Sequence, residues 1–298
     1  MIPRLSPYAH SLAKMHFIVF IWGFTGILGG LISVDAVPLV WHRLLFALII
    51  LIVYAKYTQA NLSVNKKDRP LLVLGGLAIA AHWVTFYYAI KISTISITLA
   101  CLSAGAFFAA LLEPLVFKRK ISGSEVLFGV GMIASVSLLF SAEWGHSTGI
   151  AVALFSALLS ALFSVINGTL VHRNPAMGIT VFELFIAFVS LTMVSSFTHG
   201  LWETLTSPQH WDWLWIGLLA TACTAYAFIQ SVKVMKFLSP FTVMLSINLE
   251  PVYGILLALA VFGEAEVMST GFYIGASLML GLVVLHSLIK RPTARTVE

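Results

Sequence analysis

The residues with most chemistry to offer are few, and each stands inside an apolar run. Glu250 is followed by Pro251 and flanked at four-residue spacing by Ser246 and Gly254, so on a helix the three stack on one face. A carboxylate there could bind a solute ammonium or a proton. Pro251 removes a backbone donor and frees the carbonyl of Ile247, which invites a kink. His82 has Phe86 one turn on, and its imidazole can titrate near neutral pH. Arg43 and Glu183 stand about five residues inside their own runs, at matching depths from opposite faces. A charge at the centre of a bilayer costs at least ~2.5–3.5 kcal/mol on insertion scales, which makes such residues functional by default. Plain readings stand beside these: a Glu that only fixes helix packing, a His bonded between helices, an Arg that snorkels outward. Glu113, next to Pro114 and close to Lys118 and Arg119, reads as an interfacial acid.

Uncharged polar and aromatic residues form stripes at helical spacing. Trp22, Thr25, Gly26 and Gly29 share one face; Ser156, Ser160, Ser164 and Asn167 share another; Tyr226 pairs with Gln230, and Trp83 with Tyr87. The competing reading of every stripe is helix–helix packing, which small and weakly polar residues serve well. The candidate solute contacts are Glu250, His82, Asn167, Trp22, Thr25, Tyr226 and Gln230. Arg43, Glu183, Glu113 and Pro251 are candidates for gating or packing.

Two catalytic signatures fail on context. Gly129-Val130-Gly131-Met132-Ile133-Ala134 fits a dinucleotide fingerprint but lies inside an apolar run with no preceding strand. Gly145-His146-Ser147-Thr148-Gly149 fits the esterase elbow but occupies a short connection between two helical runs. Cys101 and Cys223 lie within apolar runs, with neither a disulfide framework nor a metal-binding spacing. No cofactor or metal is expected.

The elements that must position these residues follow from composition. Of 298 residues only 10% are charged and 59% are hydrophobic, and mean hydropathy is +0.98. Soluble domains carry about 25% charge. This chain lacks the charge to cover a water-facing surface, which excludes an ordinary cytosolic enzyme, and disorder needs the opposite balance. Ten apolar runs are long enough to span a bilayer: 15–33, 38–55, 70–90, 95–117, 123–141, 147–170, 178–198, 213–232, 240–262 and 268–288. Their continuity favours helices over a barrel. The first follows Arg4 and Lys14 and is read as an uncleaved first helix, since it exceeds a signal core in length.

The formal charge of +5 reports orientation in the bilayer, not nucleic-acid binding. Of the 17 Lys and Arg, 15 fall on one side: in the termini and in the connections after runs 2, 4, 6 and 8. Lys91 alone falls on the other, and Arg43 lies within run 2. The positive-inside rule then places both termini in the cytoplasm. Asp35, Glu143, Glu203, Asp212, Glu264 and Glu266 fall on the far side.

The halves repeat. Residues 89–129 lie on 235–275 at an offset of 146, matching Ser93 with Ser239 and Gly129 with Gly275; runs 1–2 lie on 6–7 at an offset of 140, setting Arg43 opposite Glu183. Five spans is an odd number, so the second half enters from the opposite side. This predicts an all-α membrane protein of ten transmembrane helices, two inverted-topology five-helix repeats, an architecture many secondary transporters use.

FIWGFTGILGGLIS near the start, AIKIS closing the third run and LEPVYGILLALAVFGE in the ninth resemble the EamA family of the drug/metabolite transporter superfamily. The resemblance covers two units, 15–141 and 147–288. It implies a bacterial inner-membrane carrier, often an exporter of amino acids or related metabolites. It also implies a central cavity lined mainly by spans 1, 3, 4, 6, 8 and 9. The family often has a Pro in mid-span of the fourth helix and an acid closing it; LSAGAFFAALLEPLVFKRK departs from this. The resulting expectation is a secondary transporter of small polar solutes in contact with the lipid bilayer, with protons as a candidate coupling ion. The rivals are an intramembrane lipid-modifying enzyme and a structural or sensory membrane protein. The first needs catalytic groups clustered at one interface; the second needs neither repeat nor midplane acid.

Overall fold

The computed structural model describes residues 6–116, 118, 123–198 and 200–289, and among these the secondary structure is helical throughout. The helices are α1 (Pro7–Leu31), α2 (Ala36–Tyr57), α3 (Arg69–Ile92), α4 (Ile95–Leu102), α5 (Gly105–Val116), α6 (Gly123–Ala142), α7 (Ser147–Leu170) and α8 (Ala176–Thr198). They continue with α9 (Leu201–Thr206), α10 (Asp212–Ala220), α11 (Ala227–Val234), α12 (Pro240–Ile247), α13 (Glu250–Phe262) and α14 (Thr270–Ile289). Local chemistry sets several starts. Ser6 Oγ accepts from Ala9 N with Pro7 at the first helical position, and Ser239 Oγ accepts from Thr242 N with Pro240 next in the chain.

Eight stretches are long and apolar enough to cross a membrane among the described residues: Pro7–Leu31, Ala36–Tyr57, Lys66–Ile92, Ile95–Val116, Trp144–Leu170, Ala176–Phe197, Asp212–Val234 and Pro240–Glu266. The apolar parts of α6 and α14, Val126–Ala142 and Thr270–Leu282, are shorter. They pack against each other, with Gly131 meeting Leu282 and Gly275 meeting Leu139.

Three runs that read as continuous in sequence are interrupted. The fourth breaks between α4 and α5, where Ser103 N and Ala104 N bond only three residues back, to Ala100 O and Cys101 O. The ninth breaks between α12 and α13. There Asn248 Nδ2 takes the carbonyl of Met244 at 3.1 Å, and Pro251 sits in the first turn of α13, where a missing N–H costs nothing. The expected kink at Pro251 is therefore a break, and Glu250 opens a new helix. The two breaks fall at equivalent places under the offset of 146. The eighth run holds a π-helical stretch, Thr221–Tyr226, between α10 and α11. Its wider turn is visible in Thr224 Oγ1, which donates five residues back to Leu219 O at 2.8 Å.

Contacts between helix ends define the two ends of the bundle. At one, Lys14 Nζ donates to Gln230 Oε1 (3.5 Å), Arg173 pairs with Asp68 (3.0 Å) and Asn174 Nδ2 donates to Asp68 Oδ2 (2.8 Å). At the other, Ser33 N and Oγ both donate to Asp212 (2.7 Å each), Lys91 Nζ reaches Ile32 O (2.5 Å) and Ser269 Oγ donates to Glu143 (2.6 Å). The first is the basic end and the second the acidic end. In the interior α3 packs on α7 and α8, and α1 on α13. Small residues permit the closest approaches: a Cβ on Gly76 would come 2.8 Å from Ile186 Cβ across the α3–α8 contact.

A central cavity with an unpaired arginine and glutamate

The interrupted helices surround a cavity lined by α1, α2, α3, α4, α7, α11, α12 and α13. It holds about 60 Å³ of water-accessible space, room for only a few waters. Trp22, Trp83, Phe86, Phe163 and Phe228 supply aromatic walls, and Met235, Met244, Val243 and Ile247 carry the lining toward the basic end.

Arg43 is the principal cation of the cavity. Its place in the sequence allows it to snorkel near a face; instead it is 3% exposed and turned inward. Its guanidinium lies 3.8 Å above the ring of Trp83, Nε donates to Thr224 Oγ1 at 2.6 Å and Nη1 donates to Tyr87 Oη at 3.0 Å. Thr224 can accept because its own proton is engaged with Leu219 O inside the π-helical turn. Two other elements, α3 and the π-helical stretch, therefore hold the guanidinium, and these hydrogen bonds use two of its five N–H groups.

Glu250 faces the same cavity from the first residue of α13. Its Oε1 lies 3.3 Å from Thr25 Oγ1, but the single proton of Thr25 has a shorter acceptor in Trp22 O at 2.7 Å. Beyond this weak contact the carboxyl group feels Arg43 across the cavity. Among the described residues neither Arg43 nor Glu250 has an ion-pair partner, although both line one cavity.

His82 is both a packing residue and a lining residue. Nδ1 lies 2.9 Å from Ser156 O, so it must carry the proton, and Ser156 Oγ donates back to His82 O at 2.9 Å. If the ring is neutral, Nε2 is then an acceptor, and His82 lines the cavity. Trp22 is fixed by Nε1 donating to Cys223 O at 3.0 Å.

The EamA-like transporter family profile matches residues 14–141 and 147–288. The chain belongs to the EamA-like transporter family. Two EamA units thus account for nearly the whole chain, as members of the drug/metabolite transporter superfamily, whose characterised members are transporters, and the apolar helices make this an integral multi-pass membrane protein. No curated protein matches significantly. A solved structure titled only as a crystal structure of a protein superposes with a TM-score of 0.68, over 97% of this chain and 99% of that one, at 15% identity. At that identity the likeness concerns the fold alone.

Within this EamA-like fold, Glu250, His82, Trp22 and Thr25 all line the cavity. Three other expected contacts do not. Tyr226 is 42% exposed and packs edge-on against Phe17 on the outer face, while Gln230 meets Lys14 at the basic end. The π-helical turn causes both departures. Its extra residue rotates the rest of the helix, so Phe228 and Ser231 take the inward positions that an unbroken α-helix would give elsewhere. Asn167 is fully buried away from the cavity, where Nδ2 donates to Glu183 Oε2 at 3.0 Å.

Glu183 is fully buried between α7 and α3, against the backbone of Gly75, and faces neither Arg43 nor the cavity. Glu113, expected as an interfacial acid, is 7% exposed at the basic end, and its Oε1 accepts from Phe241 N at 2.6 Å. Arg43 and Trp83 are the cavity residues hardest to place from sequence. The one usable signal is an arginine inside an apolar span, which needs a partner in the protein.

Proposed function

We propose that this protein is a secondary transporter that moves small zwitterionic metabolites, amino acids in particular, out of the cell by alternating access. The carrying observation is one cavity that presents an unpaired guanidinium and an unpaired carboxyl group. A solute carboxylate fits the free N–H groups of Arg43, and its ammonium fits Glu250 and Nε2 of His82. Aromatic and methionine side chains then take the remainder of the solute. Arg43 and Glu250 act on each other across the cavity without forming a close ion pair, so a zwitterion set between them can meet both charges at once.

An inverted-topology pair of five-helix repeats, with α6 and α14 as the fifth member of each, is the architecture we infer. Supporting it are the equivalent positions of the two helix breaks and the way the helix ends meet at the basic and acidic ends. The family resemblance favours a bacterial inner membrane, and the Lys/Arg distribution favours the basic end and both termini in the cytoplasm. The cavity lining reaches Met235 toward that end, which favours loading from the cytoplasm. Reporter fusions at the C-terminus should be active for a cytoplasmic enzyme and silent for a periplasmic one; the reverse pattern overturns this orientation.

A non-enzymatic role is part of this proposal; Ser156 meets His82 beside the cavity. Ser156 is fully buried and its hydroxyl proton is committed to His82 O, so it is no poised nucleophile. Counterflow in proteoliposomes tests the function. Free amino acids should exchange, whereas their N-acetyl and methyl-ester derivatives, each lacking one pole, should not. Equal transport of parent and blocked derivatives would refute the two-pole site.

A further inference from the structure

The short half-helices α4 and α12 occupy equivalent places in the two repeats, Ile95 aligning with Phe241 at the offset of 146. Each N-terminus is capped by a carboxylate from the other repeat. At the acidic end Glu266, which lies just past α13, accepts from Ile95 N at 3.0 Å and from Ser96 N at 2.8 Å. At the basic end Glu113, near the end of α5, accepts from Phe241 N at 2.6 Å. Both carboxylates are buried, at 6% and 7% exposure.

We propose that Glu266 and Glu113 are reciprocal latches, each holding one end of the bundle shut across the boundary between the repeats. This rests on the alternating-access reading. A helix N-terminus offers amides with no partner within the helix, and a carboxylate satisfies them and meets the positive end of the helix dipole. The bond forms only while the repeats are in contact at that end. Parting them there strands the amides and the carboxylate together.

Close packing coincides with each latch. At the acidic end, a Cβ on Gly26 or Gly30 of α1 would come 2.9 Å from side-chain carbons of Ile95, and Gly254 of α13 lies against Leu99. At the basic end, Gly168 of α7 lies against Pro240 and Gly105 of α5 against Met244. Both latches are made in this structure, in keeping with the small cavity between them. Opening either end requires the loss of only one.

The test uses the full chain in lipid nanodiscs, where reagents reach both faces, with Cys101 and Cys223 replaced by serine. Reporter cysteines stand at Leu99 for the acidic end and Met244 for the basic end, and a polar maleimide is applied without solute. Glu266→Gln should raise the labelling rate at the Leu99 position roughly fivefold or more and leave that at Met244 unchanged or lower. Glu113→Gln should do the opposite, because a neutral acceptor makes a bond about half as strong as a charged one. Glu→Asp variants, which shorten the reach, provide the same readout if a Gln variant does not fold. Opposite shifts support the latches. A parallel rise at both reporters, or no change at either, overturns them. Since no solute is present, failure here is separable from failure of the zwitterion site, which counterflow reports.

Discussion

Arg43→Gln should abolish detectable transport of zwitterionic solutes. Removing one partner of a desolvated, hydrogen-bonded charge pair costs ~2–5 kcal/mol, roughly 30-fold or more in apparent affinity. The same substitution removes the cation above Trp83 and the Nε donor to Thr224, so a lower thermal unfolding temperature should accompany it. Affinity for the carboxylate pole separates the two effects. An amine analogue without a carboxylate should compete equally well, if weakly, in wild type and variant. Arg43→Lys should recover little, since an ammonium cannot stack flat on Trp83 while reaching both Thr224 and Tyr87. Near-normal counterflow in a folded Arg43→Gln protein would remove Arg43 from the solute site.

Glu250→Gln should weaken binding of amine-bearing solutes by roughly tenfold or more, the value of a hydrogen bond to a charged group being ~1.5–3 kcal/mol. Size and hydrogen-bonding shape are kept, so the loss reports charge. If Glu250 also carries a coupling proton, the variant should lose uphill transport and keep exchange. Glu183→Gln should do less, because Glu183 lies off the cavity beside Asn167 and Gly75. The check is pH-dependent flux in liposomes with inserted, folded variants. Unchanged flux and unchanged pH dependence in Glu250→Gln would leave Glu250 as a packing residue.

The legible part of this molecule is whatever depends on composition and local spacing. Apolar runs mark the helices because a bilayer demands length and hydropathy, and Glu250–Pro251 marks an irregularity because proline costs a backbone bond. The first break, at Ser103–Ala104, has no proline to announce it; only its equivalence to the second would suggest it. Arg43 can be located in the sequence but not oriented, because its partners Trp83, Tyr87 and Thr224 come from two other helices. Tyr226 and Gln230 are misplaced by any reading that carries a 3.6-residue period through a stretch that does not obey it. Asn167 satisfies every local criterion for a cavity residue, and its partner Glu183 can be assigned only in three dimensions.

The π-helical turn has a consequence for how such a site diversifies. Everything from Ala227 to the end of α11 is indexed to the cavity by one surplus residue. Losing it from Thr221–Tyr226 would turn that wall by about 100°, withdrawing Phe228 and Ser231 together and dissolving the seat of Arg43 at Thr224. A point substitution edits one contact of the wall, whereas a single-residue length change exchanges the whole of it. Recognition along this helix is therefore written partly in the length of the chain.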